Sequence, residues 1–278
     1  MSPRVSVLML TYNRPQFIGR AIESVISQDF TAWELLVVHD GPNEEIVSVM
    51  ENWEKIDSRI RYFHRVKGGN IADATNFGLK HARGEYIAIL DDDDFWPVPD
   101  KLSRQVKFLD ESPDYAGCGA GVIAMDENGA ETARYYKALT DRQIRRLALV
   151  ANPMAHSTGM FRRDLIEKCG YYDQTLEGFQ DWDMWLKLGQ LGKLCNFPEY
   201  WQTYQMWPGG GSYNQQKANT RSALRIVMRH RHAYPGFAVA LPMAALYHLY
   251  AYLPAGVRRF SYGFLSRLKK TAFAPKQA

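Results

Sequence analysis

The sequence predicts an α/β fold, a mostly parallel central sheet flanked by helices, and three observations predict it. Short apolar runs at Val5–Leu10, Glu34–Val38, Ile60–Phe63 and Tyr86–Leu90 alternate with stretches whose apolar residues recur at helical spacing. A helix between successive strands is the order that leaves neighbouring strands parallel. The strands also end in polar or charged residues, at Thr11-Tyr12-Asn13, at His39-Asp40-Gly41-Pro42 and at Asp91 to Asp94. Ligands of an open α/β sheet bind beyond the carboxyl ends of its strands, so these three segments are expected to share one crevice.

Taken in order, Phe17/Ile18, Ala21/Ile22 and Val25/Ile26 mark the first helix, and Ile46/Val47, Val49/Met50 and Trp53 the second. A third, Ala72–Ala82, turns through Arg83-Gly84-Glu85 into the strand that ends at the aspartates. Asp100–Leu109 reads as a helix with Leu102, Val106 and Leu109 inward. Residues 116–125 read as a strand interrupted in pattern by Gly117, Gly119 and Gly121. Helices are expected over Thr140–Val150, with Arg142, Arg145 and Arg146 on a solvated face, and over Arg163–Cys169. Another starts near Asp181, with Met184, Trp185 and Leu188 on its buried face. A basic helix follows over Asn214–His232, and the three glycines of 209–211 predict a flexible loop before it, either one that orders with substrate or a plain connector.

At 278 residues, 46% hydrophobic and 23% charged, the chain has ample length for a sizeable core and is not a disordered protein. Cys118, Cys169 and Cys195 are too widely spaced for a disulfide framework or a Cys-x-x-Cys metal pattern, which points to a reducing, cytoplasmic setting. The first residues lack the basic and apolar regions of a signal peptide. Net charge divides the chain. Eleven of the 34 Lys and Arg, and none of the 30 Asp and Glu, lie after residue 199, so 1–199 is net −7 and 200–278 net +11. The expected organisation is a domain over 1–210, with halves of about 1–114 and 115–210, and a basic helical extension over 211–278.

Phe237–Leu253 is apolar but holds Pro242 and His248, and it is shorter than the roughly 20 residues that span a bilayer. Arg258, Arg259, Arg267, Lys269 and Lys270 alternate with Phe260, Tyr262, Phe264, Leu265 and Leu268, so 237–270 suits the surface of an anionic membrane or packing on the acidic body. Nothing else in the chain supports a nucleic-acid partner.

Four adjacent carboxylates repel one another and call for a cation. Oxygen-only ligands favour a hard ion, Mn²⁺ or Mg²⁺, with a solvated acidic loop or a Ca²⁺ turn as the alternatives. No Gly-x-Gly-x-x-Gly or Gly-Lys-Ser/Thr phosphate loop is present, so a nucleotide must bind by another route. Asp40 can accept from a base N–H or simply form a turn before Gly41. Tyr12 can stack on the base or be a packed aromatic. Asp181 can act as a general base or cap its helix. His156 and Trp182 are candidates for the acceptor side, with structural roles as their alternatives.

These residues resemble the inverting nucleotide-sugar glycosyltransferases of family 2, whose fold is called GT-A. Val5-Ser6-Val7-Leu8 with Thr11-Tyr12-Asn13-Arg14 is similar to the family's opening strand and loop, and Ser24-Val25-Ile26-Ser27-Gln28 to the end of its first helix. Glu34-Leu35-Leu36-Val37-Val38-His39-Asp40-Gly41 resembles the second strand with its base-recognising Asp. Gly84 to Asp94 resembles the strand entering the Asp-x-Asp motif, and Gln180-Asp181-Trp182-Asp183-Met184-Trp185-Leu186 the Glu-Asp motif near the acceptor. The resemblance implies that Thr11, Tyr12, Arg14, Asp40, Asp91 and Asp92 bind the nucleotide sugar, that Asp93 binds the metal, and that Asp181 is the base. It implies transfer from a nucleoside-diphosphate sugar, UDP-linked, to a hydroxyl of a glycan or lipid-linked acceptor. The chain departs from the family's pattern at Thr75, where an Arg is frequent, at Gln180, where a Glu is usual, and at Tyr204-Gln205-Met206-Trp207, which lacks an Arg-x-His pair. Two other functions compete: a metal-dependent sugar-phosphate nucleotidyltransferase, which would bring a basic glycine-rich phosphate loop, and a non-catalytic carbohydrate-binding module, which would not need Asp40 or Asp181.

Overall fold

A computed structural model of the protein describes residues 2–65, 69–205 and 216–253. In chain order the first half comprises β1 (Val5–Thr11), α1 (Pro15–Ile26), β2 (Trp33–His39), α2 (Glu44–Ile56), β3 (Ile60–His64), α3 (Ile71–His81), β4 (Tyr86–Ile89), β5 (Asp94–Phe95) and α4 (Lys101–Glu111). The second comprises β6 (Tyr115–Met125), β7 (Glu131–Tyr135), α5 (Asp141–Leu147), a 3-10 turn (His156–Thr158), β8 (Met160–Arg162), α6 (Asp164–Cys169), α7 (Gln180–Leu191), β9 (Lys193–Gln205), α8 (Gln216–His230) and α9 (Phe237–Ala251).

One sheet runs β3-β2-β1-β4-β8-β6-β9-β5, with β7 paired to β6. Its N-terminal part, β3 to β4, is wholly parallel, and the long β6–β9 ladder is parallel as well; β8, β5 and β7 pair antiparallel. Alternate residues of the central strands feed two cores, as the two-residue period of a strand requires. Val5, Val7, Met9, Leu35 and Val37 pack under α1, α2 and α4 with Ile22, Met50 and Leu102. Leu8, Leu36, Val38 and Ile87 pack on the other face against α3 and α7 with Leu79, Met184 and Trp185. Parallel pairing brings the carboxyl ends of β1, β2 and β4 to one edge, where the sequence places its polar residues.

Between residues 115 and 205 the chain is more regular than its sequence suggests. β9 is a thirteen-residue strand, β8 precedes α6, and β7 is exposed along its whole length. The basic helix α8 packs on α7: Ala223, Ile226 and Val227 share a core with Trp182 and Leu186. Its arginines meet the acidic body, Arg229 pairing with Asp173 and Asp183 and Arg221 with Glu177. α9 continues through Pro242, and none of the described helices is long and apolar enough to cross a membrane. The glycine loop of 209–211 and the basic segment of 258–270 lie outside the described residues.

Candidate active site

The ends of β1 and β2 are stitched by the Asp40 N–H, which donates to the Thr11 carbonyl at 3.0 Å. Thr11 is buried. Tyr12 is 60% exposed and lays its ring against Gly41, where a Cβ would come within 2.8 Å of two ring carbons. Glycine at 41 therefore keeps an aromatic face in place beside Asp40. The Asp40 carboxylate accepts the Gly69 N–H at 2.9 Å and faces Arg65 Nε at 3.5 Å. His39 stacks on His64 beneath this loop, ring centroids 4.7 Å apart, and burial lowers its imidazole below the usual range.

The four aspartates divide into two pairs. Asp92 and Asp94 turn inward and are 0% and 2% exposed; Asp93 is 9% exposed and Asp91 half-buried. Asp92 lies against the Arg14 guanidinium, which also pairs with Asp93, so the loop after β1 is tied to the loop after β4. Burial pushes the Asp92 carboxyl up to about 7 against the opposing pull of Arg14. Asp94 is held by Ser157 Oγ at 2.6 Å and Gln202 Nε2 at 2.5 Å, and burial, with the charges of Asp91 and Asp93, raises it well above the usual carboxylate range. Ser157 Oγ also accepts the Asp91 N–H at 3.1 Å. Asp92, expected among the nucleotide-sugar-binding residues, is thus a buried counter-charge for Arg14, because its side chain points beneath the loop. The carboxylates outnumber the cations here and their donors are all oxygen, a set that fits a hard divalent ion. Among the described residues no three His, Cys, Asp or Glu side chains form a metal cage of their own. Such an ion would therefore complete its shell with substrate oxygens and water, the common arrangement for Mg²⁺.

Asp181 stands in the first turn of α7. It does not cap the helix: Phe179 occupies that position without a side-chain cap bond. The Asp181 carboxylate instead accepts Asn152 Nδ2 at 2.5 Å and stays half-buried. Burial first, then the charges of Asp181 and Asp91, raises the Tyr172 phenol well above its ordinary value. The His156 ring meets Tyr172 and Trp185 edge-on, at centroid distances of 6.1 and 6.4 Å. Trp182, an acceptor-side candidate in the sequence, is 5% exposed and donates its indole N–H to the Ala148 carbonyl at 2.8 Å. It fills the core between α7 and α8 and offers no ring face to a ligand.

The departures from the family pattern have local explanations. Thr75 Oγ1 donates to the Ile71 carbonyl of its own helix, while a guanidinium reaches the Asp40 region from Arg65. Gln180 is 9% exposed and donates to the Leu176 carbonyl, so it supports the turn into α7. Sequence reading did not single out Arg65, Asn152, Ser157, Gln202 or Tyr172. Their sequence neighbourhoods carry no motif, and only the fold brings them to the carboxylates.

The sequence matches the family described as Glycosyl transferase family 2 over residues 6–170, a range that includes Thr11, Tyr12, Arg14, Asp40 and Asp91 to Asp94 and stops short of Asp181. The amylovoran biosynthesis glycosyltransferase AmsE of Erwinia amylovora is 29% identical over 198 residues, 70% of this chain and 73% of that protein. The putative glycosyltransferase EpsE of Bacillus subtilis is 29% identical over 200 residues, 68% of each. Among solved structures, the mannosyltransferase PcManGT from Pyrobaculum calidifontis, in complex with GDP-Man and Mn²⁺, is similar with a TM-score of 0.65 at 19% identity, over 98% of this chain and 82% of that one. S. aureus TarS 1–349 in complex with UDP-GlcNAc has a TM-score of 0.68 at 17% identity, over 98% and 78%. These structural likenesses establish the fold, and the family match extends over more than half of the chain. The protein belongs to glycosyl transferase family 2 and is a glycosyltransferase of the GT-A fold.

Proposed function

We propose that the protein moves a sugar from a nucleoside-diphosphate sugar, with a UDP-linked donor the first to test, to a hydroxyl of a glycan or lipid-linked acceptor in a single inverting displacement. The observation that supports this reading is the gathering, at the carboxyl ends of β1, β2 and β4, of the exposed Tyr12, of Asp40 and of the aspartates 91–94, with Arg14 tying the first loop to the last. In it Tyr12 and Asp40 hold the base, Asp91 meets the ribose, and Asp93 holds a Mn²⁺ or Mg²⁺ ion with the diphosphate. When bound, the ion offsets charge on the nucleoside diphosphate leaving group. Arg14 sets the Asp93 carboxylate in place. Asp181, oriented by Asn152, takes the proton from the acceptor hydroxyl as it attacks C1 from the face opposite the leaving group.

The test is incubation with a panel of nucleotide sugars and Mn²⁺, with and without chelator, reading released nucleoside diphosphate. Pyrophosphate release from a sugar phosphate and a nucleoside triphosphate would overturn the reading in favour of nucleotidyl transfer. Asp93→Asn is expected to lose at least ten-fold of the gain in UDP affinity that Mn²⁺ gives the wild type. A full gain in the variant would remove Asp93 as the ligand.

Residues 1–210 are proposed as the catalytic unit and 211–278 as an extension that seats it on the cytoplasmic face of an anionic membrane. Leu246 and Leu249 of α9 are 67% and 66% exposed, apolar side chains that an interface would cover. Glu at both positions should abolish flotation with phosphatidylglycerol vesicles; unchanged flotation would remove the membrane role.

A further inference from the structure

Lys101, the first residue of α4, is a buried cation that the proposed chemistry leaves unused. It is 0% exposed, and among the described residues no carboxylate pairs with it. A helix N-terminus is the end at which a cation is least favoured, and burial lowers the ammonium to about 7. Two contacts offset that cost. Nζ lies 3.8 Å from the centroid of the Trp96 ring and donates to Gln105 Oε1 at 2.7 Å.

Both contacts lead to the 3-10 turn at His156–Thr158. Gln105 is itself 0% exposed, and an amide can be seated either way round. With its oxygen taken by Lys101, its nitrogen faces the other way, where Nε2 donates to the Thr158 carbonyl at 3.0 Å. The Trp96 indole N–H donates to the preceding carbonyl, that of Ser157, at 2.7 Å. Two successive carbonyls of the turn are thus held by the two side chains that Lys101 touches. From the same turn, Ser157 Oγ meets the Asp91 N–H at 3.1 Å and Asp94 Oδ2 at 2.6 Å. A methionine would fill the space of Lys101 without the cost of a buried charge, but it would leave the Gln105 oxygen without a donor.

Resting on the transfer reading above, we propose that Lys101 is a positioning residue for donor binding: through Gln105 and Trp96 it fixes the 3-10 turn, and the turn holds Asp91 and Asp94 in the arrangement that receives the nucleotide. It touches no substrate itself. Its effect passes along a chain of contacts in which each depends on the one before: the ammonium orients the amide, the amide and the indole hold the turn, and Ser157 holds the carboxylates.

The experiment compares the wild-type chain with Lys101→Met and with Trp96→Phe, which keeps an aromatic face under the ammonium and removes the bond to the Ser157 carbonyl. Hydrogen exchange read by mass spectrometry on the ligand-free proteins should rise about ten-fold in both variants at the amides of Asp91, Thr158 and Gly159, and stay at the wild-type level in α1 and α2. Calorimetry, with whichever of UDP and GDP the wild type binds in the presence of Mn²⁺, should show an affinity about ten-fold lower in both, the worth of one hydrogen bond. The Tm of Lys101→Met should not fall, since an apolar side chain of similar length replaces a buried charge. Exchange that rises throughout the chain together with a lower Tm would assign Lys101 a purely structural role, and unchanged exchange at the turn, or undiminished affinity, would overturn the proposal. A wild type that binds neither nucleotide would overturn the transfer reading on which this one rests, and it would do so before any variant is compared.

Discussion

Asp181→Asn is expected to lower transfer by about 10²–10⁴-fold, the usual contribution of a general base, while leaving UDP affinity and folding intact. The amide has nearly the same shape and remains within reach of Asn152, so a loss of rate without a loss of binding isolates proton removal. Half-burial on the crevice side and the absence of a capping bond leave the carboxylate with no structural duty that Asn would abandon. Transfer rates are measured by nucleoside diphosphate release and affinity by titration calorimetry with UDP. A variant transferring at the wild-type rate would end the base assignment.

Asp183, two residues on, should behave in the opposite way. It is 0% exposed and pairs with Lys187 Nζ at 2.9 Å, Arg229 Nη1 at 2.8 Å and His230 Nε2 at 2.9 Å. Asp183→Ala leaves these groups without their shared counter-charge in partly buried surroundings, and breaking such a pair from one side costs about 3–5 kcal/mol. Urea denaturation should show that loss, and a change under about 1 kcal/mol would mean that the cluster relaxes into water. Burial works to raise the Asp183 carboxyl, but hydrogen bonds from His230 and Lys187 and the charges of Lys187 and Arg229 hold it well below the usual range. Its stabilisation is therefore complete above the unfolded value of about 3.9 and is lost as pH falls through the lower folded value. The stability of Asp183→Ala should consequently depend less on pH below about 4 than that of the wild type.

The parallel half of the sheet was legible because its strands are buried on both faces and read as continuous apolar runs. β9 was not. Asn196, Gln202, Thr203 and Gln205 are all buried in it, and Gln202 is there for Asp94 and Asn196 for the carbonyls of Ala138 and Pro153. A strand whose inward residues are hydrogen-bonding polar groups leaves no hydropathy signal. The weak reading of β6 has a packing cause: a Cβ on Gly119 would lie 2.7 Å from Asn196 Oδ1, so the position takes a residue that the pattern counts as a breaker. Helical spacing correctly put Trp185 in the core. The same rule missed Trp182, because α7 is covered on two sides, by the sheet and by α8.

At the site, residue types and strand ends gave the convergence of Thr11, Asp40 and the aspartates. How deeply each aspartate is buried was hidden, since burial is decided by Arg14, Ser157 and Gln202, which are remote in sequence. No spacing rule connects them to Asp91–Asp94.

The 3-10 turn His156–Thr158 works as a keystone between the two halves of the enzyme. Ser157 grips Asp91 and Asp94, its carbonyl accepts the Trp96 indole N–H at 2.7 Å, Thr158 Oγ1 accepts the Ala120 N–H at 3.0 Å, and His156 abuts Tyr172. The segments before and after residue 114 therefore do not behave as interchangeable modules. A chimera joined near residue 114 would graft a foreign keystone onto these aspartates, whereas one that carries 86–96 and 152–162 from the same parent keeps the joint whole.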